Sequence, residues 1–286
     1  MSTAVAELRE SAISALAAAG VPDPEVDAEL LLAHVLGTNR GGVQARLVTG
    51  GAAPDGAAEA LAPLLRRRSA REPLQHILGV AAFRHLELEV GPGVFVPRPE
   101  TETLAQMAID AALAAAGPSP RVVDLCTGSG AVALSVCTEV PHAEVAAVEL
   151  SPEAFVWARR NRERAGADNV RMVFGDLAEA LTEWDGTVDV VVSNPPYIPL
   201  GAIPRDPEVR LFDPEMALFG GEDGLDVVRS LSRRALALLH PGGFLVIEHG
   251  ELQGAEIRAL LAADGWSAPA TQRDLLGRDR FTSALR

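Results

Sequence analysis

The apolar run at residues 188–193 is followed by Asn194, Pro195, Pro196 and Tyr197. Two adjacent prolines fix the backbone and contribute no N–H, so they predict a rigid lip whose carbonyl oxygens stay free to accept hydrogen bonds. The Asn194 side chain adds an acceptor, and the Tyr197 ring offers a stacking surface. Two acceptors suit the two hydrogens of a planar NH₂ group. The run therefore indicates a site for a substrate with such a group, and the alternative is a strand terminator without a ligand.

A turn of small residues follows the apolar strand predicted at residues 121–125. Its members are Cys126, Thr127, Gly128, Ser129 and Gly130. Ligands of open parallel sheets bind at the carboxyl ends of strands, where glycine lets the backbone approach them closely. We therefore expect this turn to contact a cofactor, and the alternative is a plain connection between a strand and a helix.

Two acidic residues end the next two predicted strands of the chain. Glu149 follows the last glycine of the turn by about 20 residues, a spacing at which an acid binds ribose hydroxyls. Asp176 can accept a hydrogen bond from an adenine amino group, with the Leu177 N–H nearby. The alternative for Glu149 is a solvated carboxylate or a neighbour of a helix N-cap at Ser151. Together with the turn, these acids predict an adenosine-containing cofactor, and a dinucleotide-binding oxidoreductase also fits them.

Alternating strands and helices position these residues. Apolar strands are predicted at residues 121–125, 144–148, 170–174, 188–193 and 244–248, with two more around residues 266–271 and 281–285. Helical patterns occupy residues 131–139, 152–165, 224–239 and 252–263. Such alternation predicts an α/β fold with a parallel sheet covered on both faces.

The first quarter of the chain has a helical pattern instead. Apolar residues recur at helix spacing in residues 5–16 and 28–36, and Gly20 and Gly37 mark the ends of the two helices. A third helix is predicted at residues 55–70. Short gaps between these helices indicate a small antiparallel bundle.

The pattern changes to alternating apolar and polar residues between the bundle and the sheet. We expect a β-hairpin linker at residues 76–98, with Gly91, Pro92 and Gly93 forming its turn. The predicted domains are therefore a helical domain at residues 1–75, this linker, and a catalytic domain at residues 99–286.

The net charge of −14 counts against stable binding to a nucleic acid, because that affinity comes from Lys and Arg neutralising phosphates. The dense basic cluster of the chain is Arg66, Arg67, Arg68 and Arg71. We expect it to form the solvated end of a helix.

No apolar run reaches the roughly 18 residues of a membrane span, and the N-terminus lacks the pattern of a secretory signal. We therefore expect a cytoplasmic protein without a membrane partner. Cys126 and Cys137 lack the spacing and the histidine neighbours of a zinc site, so both are expected to be reduced and structural, and no metal is expected.

An Asn-Pro-Pro-Tyr run after a strand resembles the signature of methyltransferases that act on amino groups of adenine, cytosine or glutamine, which argues against an oxidoreductase. The resemblance implies a Rossmann-like class I methyltransferase domain with a mostly parallel sheet, and S-adenosyl-L-methionine as cofactor. We expect catalysis by Asn194, Pro195, Pro196 and Tyr197. The residues expected to bind the cofactor are Cys126, Thr127, Gly128, Ser129, Gly130, Glu149, Asp176, Leu177 and Asn194.

The segment at residues 95–102 resembles the glutamine-directed subgroup, the PrmC or HemK family. Its members methylate the side-chain amide nitrogen (N5) of the glutamine in the Gly-Gly-Gln motif of class I peptide chain release factors. Further matches lie at residues 30–37, 73–79, 219–226 and 247–250. The resemblance implies that this chain is a protein-(glutamine-N5) methyltransferase with those release factors as partners.

One residue departs from the family pattern, since Cys126 stands where glycine is usual. Gly128 and Gly130 remain, so we expect cofactor binding to survive. We expect Cys126→Gly to keep near-wild-type activity with a small loss of stability, because glycine costs backbone entropy on folding.

No general base is named, because the amide proton becomes acidic after methyl transfer and can leave late. Glu100 and Glu102 are expected to cap the next helix instead. The helical domain carries none of the motifs above, so we expect it to recognise the protein substrate.

Three alternatives stay open. The first is an enzyme that methylates a glutamine of a ribosomal protein, because such enzymes resemble this chain in every catalytic motif. The second is an adenine-N6 nucleic-acid methyltransferase, which shares the Asn-Pro-Pro-Tyr run but fits the charge poorly. The third is a non-catalytic cofactor-binding adaptor, which requires damaged motifs, and only Cys126 departs from them.

Overall fold

The computed structural model describes residues 4–286, which form two compact units. The helical unit contains the chain up to Gly79 and the segment Arg205–Phe212. The sheet unit contains Val80–Pro204 and Asp213–Arg286. The residues of the predicted hairpin linker from Val80 onward therefore group with the sheet unit, and a short later segment groups with the helical unit.

Twelve α-helices and nine strands form within residues 4–286. The helices are α1 (Val5–Ala18), α2 (Pro24–Val35), α3 (Arg40–Val48), α4 (Ala57–Ser69), α5 (Leu74–Leu78), α6 (Thr101–Ala114), α7 (Ala131–Glu139), α8 (Pro152–Ala165), α9 (Pro207–Phe212), α10 (Glu215–Leu218), α11 (Asp226–Leu238) and α12 (Gly254–Asp264). The strands are β1 (Val80–Phe83), β2 (Leu86–Glu89), β3 (Arg121–Leu125), β4 (Glu144–Glu149), β5 (Val170–Phe174), β6 (Val188–Ser193), β7 (Leu239–Glu248), β8 (Ser267–Arg273) and β9 (Asp279–Leu285). None of these helices is long and apolar enough to cross a membrane.

Helices α1, α2 and α4 follow the predicted pattern and form the core of the helical unit. In α1 the buried side chains recur every three or four residues, which places them on one stripe of the helix. Leu16, Leu31 and Leu32 are completely buried. Burying a leucine stabilises the fold by about 2 kcal/mol, so these side chains hold the bundle together.

Helix α3 was not predicted from the sequence. It contains two glycines in its first turn and buries only Val43, so neither helix propensity nor apolar spacing indicates it. The Asn39 side chain caps it, because its Oδ1 accepts a hydrogen bond from the Gly42 N–H at 2.9 Å. Capping and the packing of one valine therefore specify this helix.

The basic cluster at the end of α4 is solvated only in part: Arg66 and Arg67 are exposed as expected, whereas Arg68 is buried and Arg71 is half-buried. The buried Arg68 donates hydrogen bonds to Asp27 Oδ2 at 2.6 Å and to Glu208 Oε1 at 2.9 Å. Arg71 also donates to Glu208, with its Nη2 2.7 Å from Oε2. Helix α9 carries Glu208, so these ion pairs explain why α9 belongs to the helical unit. The sequence predicted four solvated arginines, and it did not indicate that Asp27 and Glu208, far away along the chain, bind Arg68 in a buried position.

The sheet unit is built on a seven-stranded sheet with the order β5-β4-β3-β6-β7-β9-β8. Strands β5, β4, β3, β6 and β7 are parallel to one another. Strand β9 runs antiparallel to β7 and to β8. The mostly parallel α/β sheet predicted from the sequence is thereby confirmed. Strands β3, β5 and β6 have the predicted bounds, whereas β4 ends one residue later, β7 begins earlier at Leu239, and β8 and β9 differ from the prediction by one or two residues.

The order of the strands reverses at β3. From β3 the chain continues to β4 and β5 on one side and then returns to β6 on the other. In open α/β sheets the crevice at such a switch point, beyond the carboxyl ends of the strands, is where ligands bind. The turn after β3 and the lip after β6 both lie at this edge.

The β-hairpin exists, but its predicted turn at Gly91, Pro92 and Gly93 was wrong. Strands β1 and β2 pair antiparallel with Phe83 opposite Leu86, so the turn is formed by the two residues between them. One of these is Arg84, which has a left-handed φ of 52° although it is not glycine. The sequence therefore lacked the usual glycine signal for a two-residue turn.

Gly91, Pro92 and Gly93 do form a turn, but it follows the hairpin: the Val94 N–H donates to the Gly91 carbonyl at 3.3 Å. Both glycines of this turn also pack against α8. A Cβ on Gly91 would lie 2.7 Å from the Trp157 ring, and one on Gly93 would lie 2.7 Å from Glu153 Cβ. The Trp157 indole N–H also donates to the Pro92 carbonyl at 3.2 Å. Close packing therefore requires glycine at both positions of this turn, a requirement that the sequence did not indicate.

Candidate active site

The turn of residues 126–130, called the cofactor turn after its expected ligand, and the lip of residues 194–197 begin at neighbouring positions of two paired strands. Leu125 at the end of β3 lies opposite Ser193 at the end of β6, and the Ser193 hydroxyl donates to the Leu125 carbonyl. Cys126 and Asn194 therefore leave the sheet side by side. The structure brings together the two sites that the sequence predicted separately.

The turn after β3 is held by Asp124, to which the sequence analysis assigned no function. Asp124 Oδ2 accepts hydrogen bonds from the Thr127 hydroxyl at 2.6 Å and from the Ala133 N–H at 3.2 Å. Burial raises the pKa of Asp124 to about 7, although these hydrogen bonds lower it. This side chain fixes the turn to the first turn of α7.

Gly128 and Gly130 both have left-handed backbone, with φ of 59° and 87°. A Cβ on Gly130 would lie 3.1 Å from Leu134 Cδ1, whereas nothing lies within 4 Å of one on Gly128. Gly130 is thus required by packing against α7, and the space over Gly128 is open to a ligand.

Cys126 has the same left-handed backbone, with φ of 66°. This conformation costs a residue with a side chain roughly 1–2 kcal/mol, which explains why glycine suits the position. Burial raises the pKa of the Cys126 thiol, and the Glu149 and Asp124 carboxylates raise it further. The expected loss of stability in Cys126→Gly is therefore revised, because glycine relieves this strain.

Glu149 is buried rather than solvated, and it is also a neighbour of the helix N-cap at Ser151, as the alternative stated. Its carboxylate accepts hydrogen bonds from the Gly128 N–H at 2.8 Å and from the Ser151 N–H at 2.7 Å. Burial raises its pKa, and these backbone donors lower it. The cap of α8 is Ser151, whose hydroxyl accepts from the Ala154 N–H at 3.2 Å. Each carboxylate oxygen keeps acceptor capacity for a hydroxyl donor such as a ribose.

Asp176 and Leu177 lie after β5, at the same edge of the sheet. Asp176 is exposed, and its Oδ1 accepts from the Ala178 N–H at 2.8 Å, while Leu177 is buried. Two apolar side chains of this edge face solvent, since Leu150 is 51% and Phe174 is 55% exposed. Acids for hydroxyl and amino donors beside exposed apolar surface fit an adenosine group.

Two acceptor atoms of the lip, Asn194 Oδ1 and the Pro195 carbonyl oxygen, receive no hydrogen bond from residues 4–286. The Asn194 side-chain nitrogen Nδ2 donates to the Thr101 hydroxyl at 3.3 Å. The prediction that the lip offers free acceptors beside the cofactor turn agrees with this geometry at these two atoms.

The other two carbonyls of the lip are covered. A Cβ on Gly220 would lie 2.4 Å from the Pro196 oxygen, and one on Gly224 would lie 2.3 Å from the Tyr197 oxygen. The Pro196 carbonyl is therefore packed against the backbone of Gly220, contrary to the expectation that it stays free. This close approach gives a physical reason for the glycines in residues 219–226.

Gln253 fastens the end of the lip. Its Nε2 donates to the Tyr197 carbonyl at 2.9 Å, and its Oε1 accepts from the Gly250 N–H at 2.9 Å. Burial raises the pKa of the Tyr197 hydroxyl to about 12, so this side chain is neutral at all ordinary pH values. The Tyr197 ring can therefore act as a wall of the site rather than as an acid or base.

Residues 98–102 support the lip and the hairpin. Contrary to expectation, neither Glu100 nor Glu102 caps α6 with its side chain. Arg98 donates to Asp213 Oδ2 at 2.7 Å. Glu102 Oε1 accepts from the Arg84 N–H at 3.0 Å, so it stabilises the hairpin turn. Glu100 occupies the N-cap position, but its side chain makes no capping hydrogen bond.

Sequence reasoning missed three supporting side chains: Thr101, Glu248 and Asn161. Asn161 in α8 is buried, and its Nδ2 donates to the Ser129 carbonyl at 2.9 Å and to the Glu89 carbonyl at 3.0 Å. It joins the cofactor turn to the hairpin. The signal available in the sequence was an asparagine inside the helix predicted at residues 152–165, because this residue type is a weak helix former.

Two family models match the chain. Residues 7–79 match the PrmC N-terminal domain, and residues 92–203 match the methyltransferase small domain. The matched ranges contain the helical bundle, the cofactor turn and the lip.

Similar proteins include a release factor glutamine methyltransferase of Streptomyces coelicolor, 49% identical over 99% of this chain and 98% of the relative. A 4-amino-L-phenylalanine/4-methylamino-L-phenylalanine methyltransferase of Streptomyces pristinaespiralis is 46% identical over 71% of this chain and 70% of its own length. The crystal structure of a ribosomal protein L11 methylase from Lactobacillus delbrueckii shares the fold, with a TM-score of 0.51 and 20% identity, over 72% of this chain and 98% of that one. The first of these relatives covers nearly the whole of both chains, and the chain belongs to the release factor glutamine methyltransferase family, PrmC.

Proposed function

We propose that this protein transfers a methyl group from S-adenosyl-L-methionine to the side-chain amide nitrogen of the glutamine in the Gly-Gly-Gln motif of class I peptide chain release factors. The observation that carries the proposal is the pair of donor-free acceptors, Asn194 Oδ1 and the Pro195 carbonyl, beside the cofactor turn. A primary amide offers two N–H donors in one plane, which is the complement of this pair.

The residues of the turn and of the two acidic strand ends hold the cofactor in this proposal. Glu149 accepts from the ribose hydroxyls, Asp176 accepts from the adenine amino group, and the open face of Gly128 admits the ligand close to the backbone. When bound, S-adenosyl-L-methionine supplies a methyl group on a positively charged sulfur, which is the electrophile of the reaction. No metal is required for this chemistry.

The lip has to make a poor nucleophile react, because an amide nitrogen shares its lone pair with the carbonyl group. Asn194 Oδ1 and the Pro195 carbonyl accept the two N–H bonds, which orients the nitrogen and raises its electron density. Tyr197 limits the position of the amide plane. Holding both reactants in line can supply roughly 7–11 kcal/mol of the barrier reduction. The amide proton becomes acidic after transfer and leaves to solvent late, so no residue is assigned as general base.

The helical unit is proposed to recognise the release factor. A single glutamine amide offers too few contacts to select one protein loop, so specificity requires contacts away from the reacting atom. The unit matches the PrmC N-terminal domain, and it carries none of the cofactor or lip residues. Hydrogen exchange on the full-length enzyme tests this role. Added release factor should protect amides of residues 4–79, and protection confined to the sheet unit would contradict it.

The net charge of −14 supports a protein rather than a nucleic-acid substrate, and we propose that the enzyme forms no stable complex with nucleic acid and acts in the cytoplasm. A panel of methyl acceptors separates the alternatives. Purified enzyme with radiolabelled cofactor is offered a release factor, a ribosomal protein, an adenine-containing oligonucleotide and 4-amino-L-phenylalanine. We expect label chiefly in the release factor, and faster labelling of any other acceptor would overturn the proposed substrate.

A further inference from the structure

Glu248, at the end of β7, is a buried carboxylate that the proposed mechanism does not use. Only 1% of its surface is exposed, and its Oε2 has no hydrogen-bond partner among residues 4–286. Burying a carboxylate with an unpaired oxygen costs free energy that an apolar or amide side chain would avoid. The fold keeps this cost next to the lip, which calls for a functional reason.

The neighbours of Glu248 connect it to the lip. Strands β6 and β7 are adjacent and parallel, with Ser193 opposite Ile247, so Asn194 and Glu248 follow at the same height of the sheet. The Thr101 hydroxyl and the Asn194 side-chain amide lie near the Glu248 carboxylate, and as hydrogen-bond donors they lower its pKa, against the larger effect of burial, which raises it. Asn194 Nδ2 also donates to the Thr101 oxygen at 3.3 Å. Three elements, α6, β6 and β7, thus meet at one small polar cluster.

The carboxylate determines which groups of this cluster act as donors and which as acceptors. An ionised carboxylate only accepts, so it fixes the Thr101 hydroxyl as a donor toward it and leaves the Thr101 oxygen to accept from Asn194. The Asn194 amide is then held with its nitrogen toward the cluster. Its oxygen, which receives no hydrogen bond among the described residues, remains for a substrate. A flipped Asn194 would present N–H groups to a substrate that also presents N–H groups.

We propose that Glu248, acting through Thr101, is a positioning residue for methyl transfer: it fixes the orientation of the Asn194 amide, and its negative charge strengthens Asn194 Oδ1 as an acceptor. The inference rests on the proposed function, because it assumes that Asn194 Oδ1 receives an N–H of the methyl acceptor. It assigns no proton transfer to Glu248.

Protonation of Glu248 would remove both effects, because a carboxylic acid donates a hydrogen bond and carries no charge. Burial raises the pKa of Glu248 to about 7. The charged and titratable groups around it are Glu100 before α6, which raises this pKa, Arg280 on β9, which lowers it, and the neutral Tyr197 hydroxyl after β6. The methyl-transfer rate should therefore rise with pH through about 7, as Glu248 ionises.

The test compares Glu248→Gln with wild-type enzyme and with Glu251→Gln, a control at an exposed carboxylate three residues along the chain. Rates of methyl transfer to a release factor are measured at saturating cofactor, from about two pH units below that pKa to about two above it. We expect Glu248→Gln to lower kcat by about tenfold or more at high pH, which is about 1.4 kcal/mol. Cofactor affinity should be unchanged, and the rise of the rate through about pH 7 should disappear. The Glu251→Gln enzyme should keep both the rate and the rise.

Thermal unfolding separates positioning from a structural role. A group whose folded pKa is raised destabilises the fold once it is ionised, so at high pH Glu248→Gln should be at least as stable as the wild type. A second pair, Thr101→Val and Thr101→Ser, repeats the test without changing the carboxylate. Valine removes the hydroxyl and should lower kcat, and serine keeps it and should restore most of the rate.

Three results overturn the inference. One is a Glu248→Gln enzyme with kcat within about twofold of the wild type and the same pH dependence. Another is an equal effect of Thr101→Val and Thr101→Ser on kcat, which also decides the matter if Glu248→Gln fails to fold. The third is a wild-type enzyme that does not methylate the release factor, and only this result removes the proposed function as well.

Discussion

The Glu149 carboxylate accepts a hydrogen bond from the Gly128 N–H at 2.8 Å, so the acid at the end of β4 and the glycine turn after β3 form one structure. The sequence spacing predicted that both contact the cofactor, but it did not indicate that one holds the other. Glu149 therefore has two effects on the cofactor in this account: it accepts from the ribose, and it fixes the backbone that lies beside the ligand.

Glu149→Ala should weaken cofactor binding strongly and affect the methyl-transfer step of the saturated enzyme much less. The substitution removes the ribose acceptor and frees the Gly128 N–H, so we expect a loss of affinity of at least about tenfold, or about 1.4 kcal/mol. Glu149→Gln keeps one acceptor oxygen, so its affinity for the cofactor should lie between that of the wild type and that of Glu149→Ala. Isothermal titration with S-adenosyl-L-methionine measures this. Unchanged affinity in Glu149→Ala would remove the ribose assignment.

Asn194→Ala should abolish detectable methyl transfer and leave cofactor affinity within a few-fold of the wild type. The alanine removes one of the two acceptors for the amide, whereas most residues of the cofactor site stay in place. Equilibrium binding and single-turnover rates on a release factor test the expectation. A fall of less than about tenfold in the single-turnover rate, roughly 1.4 kcal/mol, would show that Asn194 does not have the assigned role.

Cys126→Gly should be more stable than Cys126→Ala and should keep near-wild-type activity. Alanine retains the strained left-handed backbone at φ of 66° and loses the thiol, whereas glycine relieves the strain. The stability gained from the relief of strain is reduced by the roughly 0.5–1 kcal/mol of backbone entropy that glycine costs on folding. Chemical unfolding of the two variants gives the comparison. A glycine variant less stable than the alanine variant would show that the backbone at this position carries no strain.

Glu208→Gln should lower the free energy of unfolding at neutral pH by up to about 3 kcal/mol. Burial acts to raise the pKa of Glu208, but hydrogen bonds from Arg71 and Arg68 outweigh it and hold the pKa at about 2. A depressed carboxyl pKa contributes stability that is present above the unfolded value, 4.5, and is lost as the pH falls through the folded value.

The measurement for Glu208 is chemical unfolding of wild type and variant at neutral pH and near pH 3, with exposed Glu215→Gln as the matched control. The difference between wild type and Glu208→Gln should shrink at the lower pH, and the control should match the wild type at both. Equal stability of Glu208→Gln and wild type at neutral pH would contradict the contribution assigned to these ion pairs.

The sequence predicted the centre of the sheet well because β3, β4 and β6 are short apolar runs that are buried on both faces. Strands β3, β5 and β6 have the predicted bounds. The turn at Arg84 could not be predicted, because its left-handed backbone is stabilised by Glu102, 18 residues away. The prediction failed where a local conformation depends on a distant partner.

In the candidate site, too, the residues marked by local sequence were predicted, and those that depend on distant partners were not. Asn194 and Glu149 were found because their types follow strands at known spacings. Glu248 and Thr101 were missed because their relation to the lip exists only once β7 and α6 lie beside β6. An acid at the end of a strand has many possible functions, and only its buried position beside Asn194 selects one.

The most direct test of the proposed function is tandem mass spectrometry of a class I release factor after incubation with the enzyme and S-adenosyl-L-methionine. The account predicts the mass of one added methyl group on the peptide that contains the Gly-Gly-Gln motif, with fragment ions that place it on the glutamine side chain. The Asn194→Ala enzyme should leave that peptide unmodified. A release factor that stays unmodified with the wild-type enzyme, or a methyl group on any other residue, would contradict the account.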